Sequence, residues 1–160
     1  MVVMRKQFGV HPPKVVAIYK ERPDHIQIAF DNALKLCQFY NCKALFEATR
    51  VSIKTHFERY RMLGYLMRRP SATSNTTTRT NLKQFGVPAT DAIIDHQLDL
   101  IEQYIVDFCD QIQFPEMLDE LIRYSYENKR KFDIVAAFGM VMLAEEETRN
   151  RIAKPANGGE

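Results

Sequence analysis

The sequence is short of the features that announce most enzyme classes. Its three cysteines, Cys37, Cys42 and Cys109, have no metal-ligand spacing, and an odd count argues against a disulfide framework, so a reducing compartment is the simplest expectation. The four histidines, His11, His25, His56 and His96, include no i, i+4 pair, which argues against a zinc site. No apolar run approaches the roughly 20 residues that cross a bilayer, and the opening Met-Val-Val-Met-Arg-Lys lacks the form of a secretory signal. There is no Gly-x-x-x-x-Gly-Lys-[Ser/Thr] loop, no Gly-x-Gly-x-x-Gly fingerprint and no Gly-x-Ser-x-Gly elbow, which removes the P-loop ATPase reading and leaves no dinucleotide or nucleophile-elbow signature. Acidic residues are missing from the first 14 positions altogether.

What remains is an ordinary globular composition. With 160 residues, 46% hydrophobic and 26% charged, the chain is long enough for one domain with a real core. Within it, two acids stand in apolar surroundings. Glu47 ends Cys42-Lys43-Ala44-Leu45-Phe46-Glu47-Ala48, which reads as a short buried strand, and Asp133 opens Phe132-Asp133-Ile134-Val135-Ala136-Ala137-Phe138-Gly139-Met140-Val141-Met142-Leu143, which reads as a buried helix. Carboxylates are seldom buried unless paired or metal-bound. If these two converge, they could hold Mg²⁺, a hard cation that prefers oxygen ligands. The plainer alternative is that Asp133 caps its helix and Glu47 faces solvent.

The net charge of +2 conceals a segregation of signs. Arg50 to Lys83 carries eight basic residues against the single acid Glu58, whereas Asp91 to Glu127 carries ten acids against the single base Arg123. Charge runs are ordinarily solvated faces, but this basic segment follows directly on Glu47, so a surface for a polyanion would adjoin the candidate metal ligand.

Along the chain, Val15–Tyr19 is a β-branched run between proline-containing segments and reads as a strand. Asp24 is placed to cap a helix to about Tyr40, whose inner side carries Ile28, Ala29, Ala33, Leu36, Cys37 and Tyr40. With the Glu47 strand this makes a strand–helix–strand unit, which ordinarily pairs in parallel through a crossover. A second helix is expected from about Ser52 to Leu63, ending at Gly64, then an extended Tyr65–Arg69, then a polar loop from Ser71 to Thr80. That loop holds Asn75-Thr76-Thr77, a sequon without meaning where no secretory signal is seen. Thr90 should cap a long helix with Ile94, Leu98, Ile101, Ile105, Phe108 and Ile112 as a core stripe. Pro115 should start another helix with Met117, Leu118, Leu121 and Ile122. The last helix is expected from Asp133 to about Glu147, followed by a disordered tail.

The order of these segments resembles the C-terminal nuclease domain of tailed-phage terminase large subunits, the motors that package DNA into capsids. The matching pieces are Val16–Pro23, Phe39–Cys42, Leu45–Arg50, Phe85–Thr90, Leu118–Leu121 and Lys131–Ala137, and the similarity spans Val15 to Glu147. It implies an α/β fold, an RNase H-like mixed sheet flanked by helices, with residues 1–14 as an N-terminal extension, 15–147 as the nuclease domain and 148–160 as a tail. It makes Glu47 and Asp133 the second and third acids of a two-metal site for Mg²⁺ or Mn²⁺, the ions lying about 3.5–4 Å apart. Arg50, Lys54, Arg68, Arg69, Arg79 and Lys83 would then face double-stranded DNA. The family's first catalytic Asp lies on an opening strand upstream of the Val15 strand and has no counterpart here, so the domain is expected to be N-terminally truncated and weak as a nuclease alone. The resemblance further implies partnership with the terminase ATPase portion and the portal protein, no membrane, and work in the host cytoplasm and at the procapsid portal. A non-catalytic DNA- or portal-binding fragment of the same fold is the competing reading, and a structural α/β domain without metal is a third.

Overall fold

A computed structural model describes residues 1–48, 53–73, 84–128 and 131–153. Arg50, Arg79, Lys83, the sequon, the start of the helix expected at Ser52 and the tail from Lys154 lie outside the described residues. The chain is a mixed α/β structure of five helices and one two-stranded antiparallel sheet among those residues. Its elements are β1 (Val2–Arg5), β2 (Lys14–Ile18), α1 (Ile26–Phe39), α2 (Ile53–Arg59), α3 (Asp91–Phe108), α4 (Pro115–Arg123) and α5 (Asp133–Ala153), with short 3-10 turns between several of them. No helix among the described residues is long and apolar enough to cross a membrane.

The first residues are half of a hairpin. β1 pairs with β2 from Val2 opposite Ile18 to Arg5 opposite Lys14, with a register shift after Val3. The turn is closed by reciprocal bonds between the backbones of Phe8 and His11, at 3.1 and 3.0 Å. Neighbouring strands joined by a short loop pair at little entropic cost, and β2 accordingly takes β1 as its partner. The parallel crossover suggested by the strand–helix–strand order is absent among the described residues.

The Glu47 segment finds its partners further along the chain. The Ala44 N–H donates to the Tyr65 carbonyl and the Met67 N–H returns to Ala44, both at 2.8 Å. The Val87 N–H then donates to Phe46 at 2.9 Å, and the Ala48 N–H to Val87 at 2.8 Å. Arg69 closes the group by donating its N–H to Gln84 at 2.9 Å. Residues 44, 46 and 48 point their backbone groups to one side because strand geometry repeats every two residues. The other edge, at Leu45 and Glu47, makes no backbone bond among the described residues. Side chains alternate likewise: Ala44 and Phe46 pack with Ala33 and Cys37 of α1 and Phe57 of α2, while Leu45 packs with Val87 and with Met140 and Leu143 of α5.

The main core lies on the other side of that group. Val15 of the hairpin, Ile101 and Tyr104 of α3, Met117 of α4, and Ile134, Val135, Phe138 and Met142 of α5 form one buried cluster, with Val2 and Met4 packed against it. The Tyr104 hydroxyl donates to the Pro13 carbonyl at 3.0 Å and so ties the hairpin to α3. Burial, with Asp110 nearby, pushes that phenol up to about 12.

Several expected boundaries shift for local reasons. Thr90 does cap α3, its hydroxyl accepting from the Ile93 N–H at 3.4 Å, and Pro115 does open α4. Helix α1 starts after His25, without a side-chain cap, rather than from Asp24. Helix α2 ends at Arg59 instead of reaching Gly64, because Arg61 takes the left-handed conformation (φ 58°). Of the expected stripe, Ile101 and Ile112 are buried and Ile105 and Phe108 pack against the same core, while Gln97 and Tyr104 are buried positions of α3 that the stripe did not include. Gln97 fits because Gly139 faces it; a Cβ there would stand 3.0 Å from Gln97 Cβ and Cδ. On α4, Met117 and Glu120 point inward, whereas Leu118 and Ile122 are exposed.

Candidate functional site

Period-two alternation decides where Glu47 goes. Leu45 faces α5, and Glu47, two residues on, projects on the same side beyond the packed region. Its position is fixed from behind by Gly86, whose φ of +79° favours glycine and where a Cβ would lie 2.8 Å from that of Ala48. The Gly86 carbonyl in turn accepts from Arg69 Nε at 2.7 Å. Asp133 stands at the first turn of α5. Both carboxylates line one cavity of about 380 Å³. Its walls are largely apolar, from Ile93, Ile94 and Leu98 of α3 and Val135 and Met140 of α5, with Tyr124 and Phe132 beside Asp133.

Both acids are exposed at this cavity, rather than buried in their segments. The difference has a geometric cause. Glu47 lies where its strand leaves the core, and Asp133 lies one residue before the buried Ile134 and Val135. Asp133 is also engaged: Arg22 donates to its Oδ2 at 2.5 Å, with both side chains more than half exposed.

Among the described residues two other acids are the buried ones, and the sequence reading missed both. Glu120 is 3% exposed, accepts at one oxygen from the backbone N–H groups of Ile134 (2.8 Å) and Val135 (3.3 Å), and pairs through the other with Lys20 at 2.5 Å. It therefore satisfies the amides at the start of α5, the role the plainer reading gave to Asp133. Its signal is the spacing: position 120 is three residues after the buried Met117, on the inward face of α4. Glu147 accepts from the Ser71 N–H (2.9 Å), the Ser71 hydroxyl (2.7 Å) and Arg151 Nε (2.9 Å). Burial pushes its carboxyl up, but the Ser71 donors and Arg151 outweigh burial and hold it below its ordinary value.

Of the six expected DNA-facing cations, three can be placed. Arg68 is exposed, Arg69 is half-buried and bound to Gly86, and Lys54 on α2 lies 3.9 Å from Glu58. Arg69 is thus partly structural.

Among the described residues no group of three or more His, Cys, Asp or Glu side chains gathers as a metal site. Two carboxylates at one cavity suit a single hydrated Mg²⁺ or Mn²⁺, since Mg²⁺ commonly keeps several waters and uses one or two carboxylates plus substrate phosphate. A pair of ions needs more oxygen ligands than Glu47 and Asp133 supply. Comparison with protein-family models, curated proteins and solved structures gave no match.

Proposed function

We propose that this chain is the DNA-cleaving portion of a tailed-phage terminase large subunit, an RNase H-like endonuclease module that acts with Mg²⁺ or Mn²⁺ on concatemeric DNA during packaging. The observation that carries the reading is that Glu47 and Asp133, far apart in sequence, line the same cavity. They are also the two acids that the resemblance selects. In this proposal the two carboxylates hold the metal, and Arg22 keeps the Asp133 carboxylate oriented until substrate phosphate competes for the guanidinium. Arg68 and Lys54 approach the phosphate backbone. A bound divalent ion would supply charge neutralisation at the scissile phosphate and a more acidic water. The partners of the module would be double-stranded DNA, the terminase ATPase portion and the portal, at the procapsid in the host cytoplasm.

Two carboxylates position cations less firmly than three or four, so cleavage by this chain alone should be slow. Supercoiled plasmid incubated with the purified chain and Mn²⁺ should be nicked slowly, and not by the Glu47→Ala, Asp133→Ala double variant. Calorimetric titration with Mn²⁺ should show weak binding that the variant loses. Mn²⁺ binding unchanged in the variant, or nicking equal in both, would end the endonuclease reading.

The engagement of Asp133 by Arg22 favours one alternative, a DNA- or portal-binding module of the same fold without catalysis. It predicts salt-dependent DNA binding with no metal requirement and no nicking by the parent.

A further inference from the structure

Helix α1 ends in a turn that brings two thiols together. Its last turn is followed by Asn41 in the left-handed conformation (φ 48°). The Asn41 N–H donates to the Gln38 carbonyl at 3.3 Å, and the Cys42 N–H reaches back to the Cys37 carbonyl at 3.0 Å. These are the 5→2 and 6→1 bonds of a Schellman motif, whose geometry sets the side chains three positions before the cap and two after it against one another. In most helices those positions are apolar. Here they are Cys37 and Cys42, which pack in the same cluster, Cys37 buried within it and Cys42 against it. Cys37 is 3% exposed within the α1–α2 core, and Cys42 is half-buried, so an attacking reagent meets Cys42 first.

We propose that Cys37 and Cys42 are a hydroperoxide-responsive pair that closes to an intrachain disulfide. In the first step the Cys42 thiolate attacks one oxygen of a hydroperoxide. The S–O bond forms, the O–O bond breaks, and the alkoxide or hydroxide released takes up a proton to leave as alcohol or water. In the second step the Cys37 sulfur attacks the Cys42 sulfenic sulfur. The S–S bond forms, the S–O bond breaks, and hydroxide departs with the Cys37 proton as water. The two sulfurs together lose two electrons, which the peroxide gains.

The two roles follow from the environment. Cys42 is the accessible member of the pair, and the neighbouring Cys37 thiol lowers it to about 7. The Cys42 thiol and burial raise Cys37, which suits a resolving thiol that reacts only once its neighbour is oxidised. Cys109 is exposed and sits at a 3-10 turn, far along the chain, which makes it an internal reference.

The sequence simplifies the test, because trypsin cleavage after Lys35 and Lys43 releases Leu36–Lys43 with both cysteines in one peptide. The full chain is treated with stoichiometric hydrogen peroxide at neutral pH, unfolded, labelled with N-ethylmaleimide and digested. The expected product is Leu36–Lys43 unlabelled and lighter by two hydrogens, converted to the doubly labelled peptide when dithiothreitol precedes labelling. It should form before Cys109 loses its label, because the two thiols of the pair are neighbours and Cys109 has no partner thiol among the described residues. Cys42→Ser should leave Cys37 labelled under the same treatment, and Cys37→Ala should leave a Cys42 sulfenic acid that dimedone traps. Double labelling of Leu36–Lys43 after Cys109 has been oxidised, or a Cys42 sulfinic acid beside a labelled Cys37, would overturn the proposal. The Cys42→Ser arm stands alone should Cys37→Ala fail to fold, because Cys42 lies outside the buried set.

Discussion

Glu120 shows how one side chain can join three parts of a chain. Its carboxylate receives two amides from the start of α5 and an ammonium from the segment after β2, while its own backbone belongs to α4. Glu120→Ala would leave buried N–H groups without acceptors, and the expected loss is about 2–3 kcal/mol, the penalty for unsatisfied buried donors. Glu120→Gln keeps one carbonyl acceptor and should lose less. Urea denaturation of the three proteins checks the ranking; equal stability of parent and Ala variant would show that water replaces the carboxylate. At this scale the sequence is uneven for apolar residues, since Ala33, Cys37, Ile101 and Met117 lie inside as expected while Ile28, Tyr40, Leu118 and Ile122 are exposed, and it is misleading for acids. Glu47 and Asp133 stand out because their sequence neighbours are apolar, yet burial is decided by neighbours in space. Glu120 stands between Asp119 and Leu121, a less apolar setting, and still lies in the core, since helical geometry turns position 120 inward with Met117.

Among the elements, the helix ends were harder to read than the helices. Thr90 and Pro115 were recognisable because each satisfies or dispenses with a specific backbone donor. The Schellman turns were not, because neither uses glycine. After α2, Arg61 occupies the left-handed position, and Met62 bonds back to Phe57 at 2.7 Å. A side chain in that conformation is strained relative to glycine, so Arg61→Gly should stabilise the protein by up to about 1 kcal/mol. Thermal unfolding would show a rise in midpoint, and a fall would mean that the Arg61 side chain contributes more than its backbone costs. The link between the 71–73 turn and α5 gives a pH dependence of known sign. Glu147 titrates below its ordinary value in the folded state. Its contribution is therefore complete above the unfolded carboxyl value near 4.3 and is lost as pH falls through the lower folded value. Stability measured against pH should decline over this acidic range in the parent and decline less in Glu147→Gln; identical acid limbs would remove Glu147 from the account.

For the whole molecule, the α/β class and the five helices could be anticipated, whereas the β1–β2 pairing could not. The cause is that Val2–Arg5 carries too few residues for periodicity to register. Charge segregation has its own consequence at this scale. If the basic segment tracks a phosphate backbone, Arg68→Ala with Arg69→Ala should weaken binding to unrelated DNA sequences about equally and lower the magnitude of the salt slope by about 2. Arg69→Ala also frees Gly86, so Arg68→Ala alone serves as the control with the intact turn. Unchanged binding at low salt would make these cations an ordinary solvated face. The hairpin, finally, imposes an order of events during synthesis. Val2, Met4, Val15 and Ile18 bury themselves against a cluster that includes Ile134, Val135 and Phe138, and an isolated hairpin is marginal in water. At about 5–20 residues per second, the ribosome adds the helix that covers them on the order of 10 s later. Throughout that interval the nascent chain displays an apolar ribbon, a natural docking point for a holdase chaperone.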